Sequence, residues 1–321
     1  MKKNKICFAF GWMLFLLHSV GFTQSYPTHP IKVLIPFPPG GGVDIVTRIV
    51  VDQVSKNTDI NFVLENRSGA GGNIAFAAAA TAPPDGYTLL LSTPGLVMNT
   101  SLYANAGFKQ SDFSPIILLA EAPLVLMVRP SLGINSVSEL IQASRAAPDA
   151  LRFASAGNGS SSHLATEVLK TMTALQYLHV PYRGSVVAMT DAVAGRVEMT
   201  TQPVSESLPF IRDKRLLPLA QTGATRSPIA PDIPTMQEQG VKDYAVTTWY
   251  MLLGPAKMPS AVIDKLHQVF GDALKMPSLR QSLESKGLQM INVGPEQATK
   301  FLYEQTASWK KIIETSGMKI D

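Results

Sequence analysis

The stretch IKVLIPFPPGGGVD, residues 31–44, joins a short apolar run directly to a glycine-rich turn. Its β-branched start predicts a strand over Ile31–Ile35, and valines spaced three or four residues apart from Val43 onward predict an amphipathic helix. A strand that passes through a tight turn into a helix is the building unit of a parallel sheet covered by helices. The stretch therefore predicts an α/β fold.

The same alternation continues along the chain. Periodic segments between apolar runs predict helices, one of which has a capping box at Ser136 and Glu139. The chain after residue 253 is predicted to be helical, ending in Ala298–Ser316 with Gly317 as the stop. The further predicted strands are Phe62–Glu65, Tyr87–Ser92, the extended segment Ser114–Arg129 with two interrupting prolines, Leu151–Ala154, Tyr177–Val180, Val197–Thr201, Leu217–Gln221 and Ala245–Leu253.

Two of these segments predict how the chain divides. Ser114–Arg129 suits a chain that leaves one lobe for another, and Ala245–Leu253 is the predicted return crossing. We therefore expect a discontinuous lobe 1, residues 26–123 and 247–321, and a lobe 2, residues 124–246. A hinge between two α/β lobes leaves a cleft, which is a common place for a ligand site.

The N-terminus has the order of a secretory signal peptide over residues 1–25. Three lysines precede the apolar run Ile6–Leu17, and small or polar residues follow it. The run is short for a membrane span, although a retained signal anchor is the alternative. Cys7, the one cysteine, lies inside the run, so the mature chain would have no disulfide. We expect export to the periplasm.

Charge excludes one class of partner. Three of the 28 Lys and Arg residues lie in the first 24 positions, which hold none of the 24 Asp and Glu residues, so the remaining chain is nearly neutral. Nucleic-acid binding needs a persistent basic face. We therefore expect no nucleic-acid partner, and we expect a monomer.

The glycine-rich turn is the first candidate for ligand contact. A helix N-terminus directly after a strand presents free N–H groups and a positive dipole end, and glycine lets a ligand approach the backbone, so Gly41 and Gly42 favour a carboxylate. Asp44 either caps this helix or orients a ligand group. Phe37 either forms an apolar wall or packs in the core. The alternative for the whole segment is a plain strand-to-helix turn.

The second candidate is SAGNGSSSH, residues 155–163, another predicted strand-to-helix junction in the other lobe. Its hydroxyl and amide groups, at Ser155, Asn158 and Ser160, can grip the opposite end of an anion. The alternative is a flexible loop whose serines only cap the helix. Thr93, after the third strand, and Gln202 are weaker candidates.

The residues do not predict catalysis or metal binding. Ser160, His163 and Asp44 suggest a hydrolase triad, but the chain lacks the Gly-x-Ser-x-Gly motif that exposes such a serine. The histidines lack cysteine partners, which argues against a structural metal. We expect no catalytic residue, no metal and no cofactor.

Six motifs occur in order along the chain. They are the segment 26–44, ENR (65–67) with GAGG (69–72), PDGYTLL (84–90), SAG (155–157) with HL (163–164), HVPYRG (179–184) and PDIPT (231–235). With these motifs the chain resembles the Bug family, the solute-binding receptors of tripartite tricarboxylate transporters. The resemblance implies a type II periplasmic-binding-protein fold, a small organic carboxylate held in the interlobe cleft by the two loops, often through ordered water, and transporter membrane subunits as partners.

Some positions depart from the family pattern. Arg183 replaces the usual lysine, and Thr201-Gln202 stands where the family often has an aromatic residue followed by Asp or Asn. Met251 and the segment 254–257 also differ from the usual hinge sequence. These departures affect the expected ligand more than the expected fold.

Together these features predict an extracytoplasmic receptor that captures a carboxylate by closing two lobes and delivers it to a tripartite tricarboxylate-type membrane transporter. One alternative is a receptor that uses the same cleft to signal to a kinase. The other is an enzyme on the same fold, which would convert its ligand.

Overall fold

The computed structural model describes residues 26–147 and 150–316. The predicted signal peptide and the predicted stop at Gly317 lie outside these residues. The strands within them are β1 (Ile31–Ile35), β2 (Phe62–Asn66), β3 (Thr88–Ser92), β4 (Phe113–Val128), β5 (Arg152–Ser155), β6 (Leu178–Pro181), β7 (Met199–Pro203), β8 (Leu217–Gln221), β9 (Thr247–Pro255) and β10 (Gln289–Val293).

Helices alternate with these strands, which confirms the predicted α/β class. Ser136 caps α4 as expected, since its Oγ accepts a hydrogen bond from the Glu139 N–H at 3.1 Å. The helices are α1 (Gly42–Asn57), α2 (Asn73–Ala80), α3 (Gly95–Leu102), α4 (Val137–Ala146), α5 (Ser161–Thr173), α6 (Ser185–Val193), α7 (Val204–Arg212), α8 (Ser260–Lys275), α9 (Pro277–Glu284) and α10 (Pro295–Ser316).

The strands form two parallel groups joined by two long antiparallel strands. Strands β2, β1 and β3 are parallel neighbours, and so are β7, β5 and β6. Between the groups lie β9 and β4, in the order β2-β1-β3-β9-β4-β7-β5-β6. Because β4 and β9 are shared, the backbone of the two groups is continuous.

Strand β4 runs unbroken over 16 residues, although the sequence predicted an extended segment interrupted by two prolines. Its prolines are accommodated where the pairing is irregular or changes partner. Up to Pro123 it pairs with β9, and from Leu124 onward it pairs with β7 and β8. This exchange of partners lies at the predicted lobe boundary 123/124, and the boundary itself stays a prediction.

Two elements were missed. Helix α3 escaped prediction because six of its eight residues are buried, so the sequence shows little amphipathic alternation; Leu96, Val97 and Met98 are all inaccessible to solvent. The prediction that everything after residue 253 is helical was wrong, because β10 adds to the edge of β4. This short strand is only partly buried, so it shows weak alternation.

The core places the two sides of β1 against different helices. Ile31 and Val33 pack with α1 and α8, whereas Leu34 packs with α2, α3 and α10. This packing holds the carboxyl ends of β1 and β3 in fixed positions, and ligands of open α/β sheets bind at such ends. Within the described residues, no helix combines the length and apolarity needed to cross a bilayer.

Candidate functional site

A cavity of about 220 Å³ lies where the carboxyl ends of β1, β3, β5 and β7 meet. Residues of both parallel groups line it, and the N-termini of α1, α5, α6 and α7 reach it. The lining residues are Phe37, Pro38, Pro39, Gly41, Gly42, Val43, Thr93, Leu124, Ala156, Ser160, Ser161, Ser162, Arg183, Gly184, Ser185, Val186, Val187, Gln202, Pro203, Glu206, Thr248 and Tyr250.

The glycine loop, residues 37–42, presents backbone to this cavity. Gly41 is the N-cap of α1 and provides no side-chain cap. The Gly42 N–H instead donates to Glu206 Oε1 at 2.7 Å, across 164 positions of sequence. A Cβ at Gly42 would collide with that oxygen, which is why the approach requires glycine. The loop thus brings a helix N-terminus into contact with the opposite wall.

Asp44, predicted for the site, lies outside the cavity and is 2% exposed. Its Oδ2 accepts hydrogen bonds from the Gly40 N–H at 3.0 Å and Arg48 Nε at 2.8 Å, and its Oδ1 accepts one from Asn66 Nδ2 at 3.0 Å. Burial acts to raise the pKa of this carboxyl, but these hydrogen bonds hold the pKa below its usual value. Asp44 therefore fixes the glycine loop, and a role in ligand contact stays a prediction.

The serine loop, residues 155–162, forms another part of the opposite wall. Ser160 lines the cavity and caps α5, because its Oγ accepts a hydrogen bond from the His163 N–H at 3.3 Å. Ser161 and Ser162 follow in the first turn, where backbone N–H groups have no acceptor within the helix. The wall thus carries donors suited to an anion.

Two other predicted residues of this loop are placed elsewhere. Ser155 is fully buried, and its Oγ lies 2.6 Å from His179 Nε2. Asn158 lines a neighbouring cavity of about 210 Å³, where its carbonyl accepts a hydrogen bond from the Tyr103 hydroxyl at 3.2 Å. Neither residue lines the main cavity, and their contact with a ligand stays a prediction.

The remaining predicted residues, Phe37, Thr93 and Gln202, do line the cavity. Gln202 is fully buried and Thr93 is 2% exposed. Among residues 26–147 and 150–316, neither Gln202 Oε1 nor Thr93 Oγ1 has a hydrogen-bond partner. Buried polar atoms normally have partners, so these two mark a place where a ligand group fits.

Glu206, in the first turn of α7, and Arg183, before α6, were not predicted as site residues. They are the charged side chains in the cavity wall. The Glu206 carboxylate accepts hydrogen bonds from the Gly42 N–H and from Ser185 Oγ, and burial raises its pKa. The sequence did offer one signal for Glu206: it is an acidic residue just past the end of a predicted strand, four positions after Gln202.

Behind the serine loop, His163 and His179 stack with ring centroids 4.1 Å apart. Burial lowers the pKa of His163 to about 4 and that of His179 to about 3, which keeps both rings neutral. His163 Nδ1 accepts a hydrogen bond from the Gly159 N–H at 3.2 Å. Within the described part of the chain, no hydrogen bond runs from one side chain to another among Ser160, His163 and Asp44, so they do not have the arrangement of a triad.

No group of three or more His, Cys, Asp or Glu side chains suited to a metal occurs within residues 26–147 and 150–316. What the cavity offers is a set of helix N-termini, hydroxyl groups, one arginine and one glutamate together with apolar side chains. Such a site suits reversible binding of a small polar molecule.

Comparison with known proteins places the chain in context. A family model described as "Tripartite tricarboxylate transporter family receptor" matches residues 46–318. The chain is 30% identical to Protein BugT of Bordetella pertussis over 300 residues, which is 92% of each chain.

Solved structures are similar over nearly their whole length. R. palustris Rpa4515 with adipate shares 33% identity at a TM-score of 0.87, over 92% of this chain and 99% of that one. The periplasmic binding protein BugD shares 29% identity at a TM-score of 0.86 over the same shares. MatC (Rpa3494) from Rhodopseudomonas palustris, with bound malate, shares 26% identity at a TM-score of 0.85, over 90% of this chain and 100% of that one.

Proposed function

The chain belongs to the tripartite tricarboxylate transporter receptor family, and on that premise we propose that it is a periplasmic receptor for a small organic carboxylate. The lobes close on the acid in the cavity, and the closed form delivers it to the membrane subunits of a tripartite tricarboxylate-type transporter. No bond is made or broken in this function.

One observation carries the proposal: the N-termini of α1, α5, α6 and α7 converge on one cavity. Each helix start adds N–H donors and a partial positive charge, which favour an anion. Arg183, at the cavity mouth, adds a full positive charge. A micromolar ligand needs about 8 kcal/mol, which three or four hydrogen bonds to a charged group at about 1.5–3 kcal/mol each would supply with lobe closure.

The relatives support the same chemistry. The Rpa4515 structure is with adipate and the MatC structure has bound malate, and both molecules are carboxylates. The apolar residues that line the cavity, among them Phe37, Val186 and Val187, suit a short carbon chain.

A thermal-shift panel tests the binding. The purified protein, refolded to remove ligand carried through purification, is mixed with organic acids and with their fully amidated forms, which lack any carboxylate. An acid at one hundred times its dissociation constant adds about 2.7 kcal/mol and raises the melting temperature by about 5 °C. A shift from acids but not from full amides is expected. Equal shifts from both, or none from any acid, would overturn the carboxylate assignment.

Delivery needs a second test, because binding alone does not show transport. Cells that lack the chain are expected to lose uptake of the radiolabelled acid and to regain it when the chain is restored. If uptake is unchanged while a transcriptional response to the acid is lost, the receptor serves sensing and not transport.

A further inference from the structure

The cavity lining holds two hydrogen-bond acceptors with unused capacity, Gln202 Oε1 and the Glu206 carboxylate. Within residues 26–147 and 150–316, Gln202 Oε1 is buried without a partner, as is Thr93 Oγ1, which can donate or accept. The Glu206 carboxylate lines the same cavity and is half-buried. A carboxylate has about four lone-pair sites. Two are occupied, by the Gly42 N–H and by Ser185 Oγ, so the group can accept further hydrogen bonds.

The hydrogen-bond network fixes which end of the Gln202 amide is free. Thr200 Oγ1 donates its one proton to the Ala154 carbonyl at 2.9 Å. It must therefore accept in its contact with Gln202, so the atom 2.8 Å away is the donor Nε2. Oε1 is then the atom without a partner. Gln202 consequently offers an acceptor to the cavity and cannot offer its amide protons, which Thr200 and Ser162 already receive.

Charge is arranged unevenly around these acceptors. Of the two charged side chains in the cavity wall, Arg183 is exposed at the mouth, whereas Glu206 lies within, beside the start of α1. A ligand with a second carboxylate would place a like charge near Glu206. A ligand with an N–H or O–H group there would instead satisfy acceptors that otherwise remain unpaired.

Building on the proposed function, we infer that the ligand is a carboxylate that also carries an N–H or O–H donor, received by Gln202 and Glu206, and that simple dicarboxylates are selected against. Half-amides, amino acids and hydroxy acids have this chemistry. Discrimination of this kind is strong, because a site built around hydrogen bonding rejects an analogue that leaves buried groups unpaired. Glu206 adds the repulsive element that sharpens specificity.

Isothermal titration of the full purified protein at about pH 8, where the acids are ionised, tests the inference. The probes are matched sets of four to six carbons: diacids (succinate, glutarate, adipate), their half-amides, and the corresponding ω-amino acids. At least one half-amide or amino acid is expected to bind tenfold or more tightly than the diacid of equal length. The Glu206→Gln variant is expected to bind the diacids at least tenfold more tightly than the wild type does.

The control is Glu284→Gln on the exposed end of α9, which removes one negative charge away from the cavity and is expected to leave every affinity unchanged. Diacids that bind as tightly as their half-amides and ω-amino acids would overturn the inference and leave the proposed function intact. An unchanged diacid affinity in Glu206→Gln would overturn the role of Glu206. If no probe with a carboxylate binds, including monocarboxylates such as pentanoate, the proposed function fails and the inference fails with it.

Discussion

The glycine loop faces the same cavity as an opposite wall formed by the serine loop with Gln202, Arg183 and Glu206, but the two walls differ in chemistry. The glycine loop offers main chain, and its acid, Asp44, is engaged by its own neighbours. The other wall offers side chains that differ in charge and polarity, among them Gln202, Arg183 and Glu206. Main-chain donors suit any carboxylate, whereas side chains distinguish one from another. We propose that main-chain donors at the helix starts hold the acid and that these side chains select it.

The largest expected effect comes from a variant that disrupts the glycine loop. Asp44→Ala removes three hydrogen bonds to a buried carboxylate and should lower the free energy of unfolding by about 3 kcal/mol. Urea denaturation measures this loss. Asp52→Ala on the same helix is the control; its carboxylate is exposed and pairs only with Lys56, so it should cost less than about 0.5 kcal/mol. Equal costs would show that Asp44 does not support the loop.

A matched pair of glycine variants separates binding from folding. Gly42→Ala should weaken ligand binding about fiftyfold, or about 2.3 kcal/mol, because the added Cβ collides with Glu206 Oε1. Gly41→Ala should be nearly neutral, since a Cβ there meets its nearest atoms, Pro38 O and Ser185 Oγ, at 3.6 Å. Titration of both variants with the acid found by thermal shift measures the difference. Similar affinities would contradict the close approach at Gly42.

As the pH falls, the protein should lose the stability contributed by the two histidines behind the serine loop before it loses that contributed by Asp44 in the glycine loop. The pKa values of His163 and His179 lie below the ordinary 6.5, so the unfolded chain binds protons that the folded chain does not. Stability is therefore complete above pH 6.5 and is lost as the pH falls toward 4, with His179 alone accounting for a loss of roughly 2 kcal/mol by pH 5. His179→Gln should flatten this slope in urea denaturation across that range. The Asp44 carboxyl, with a lowered pKa, loses its contribution only at still lower pH.

The smallest effect concerns charge at the serine loop. Ser160→Asp keeps a good N-cap for α5 but places a negative charge in the cavity, so it should weaken carboxylate binding about tenfold, or about 1.4 kcal/mol, with little change in stability. Ser160→Asn is the matched neutral cap and should bind normally. If both variants bind alike, the Ser160 side chain is not close to the ligand charge.

Much of the fold was predictable from the sequence. The motifs predicted the family, which the matched family model confirms, and the alternation of strands and helices predicted the α/β fold. Strand β1 lies where its β-branched run placed it. The misses have local causes. Most residues of helix α3 are buried, so its sequence shows little amphipathic alternation, and β10 is a short edge strand whose pattern is weak.

The candidate site was only partly predictable. Gly41, Gly42 and Ser160 line the cavity, as strand-to-helix junctions suggest. Asp44 has the right position in sequence, but it turns into its own loop because Arg48 and Asn66 bond it there. Glu206 was missed because its hydrogen-bond partner, the Gly42 N–H, is 164 residues away.

The sequence by itself determined the order of strands and helices and the places where glycine and serine open a helix. These follow from periodicity and capping, which act over a few neighbouring residues. Only the tertiary structure decided which side chains face the cavity and which polar atoms remain unpaired there. The cavity is assembled from the ends of four strands that lie far apart in the chain, so its chemistry depends on contacts that no local pattern encodes.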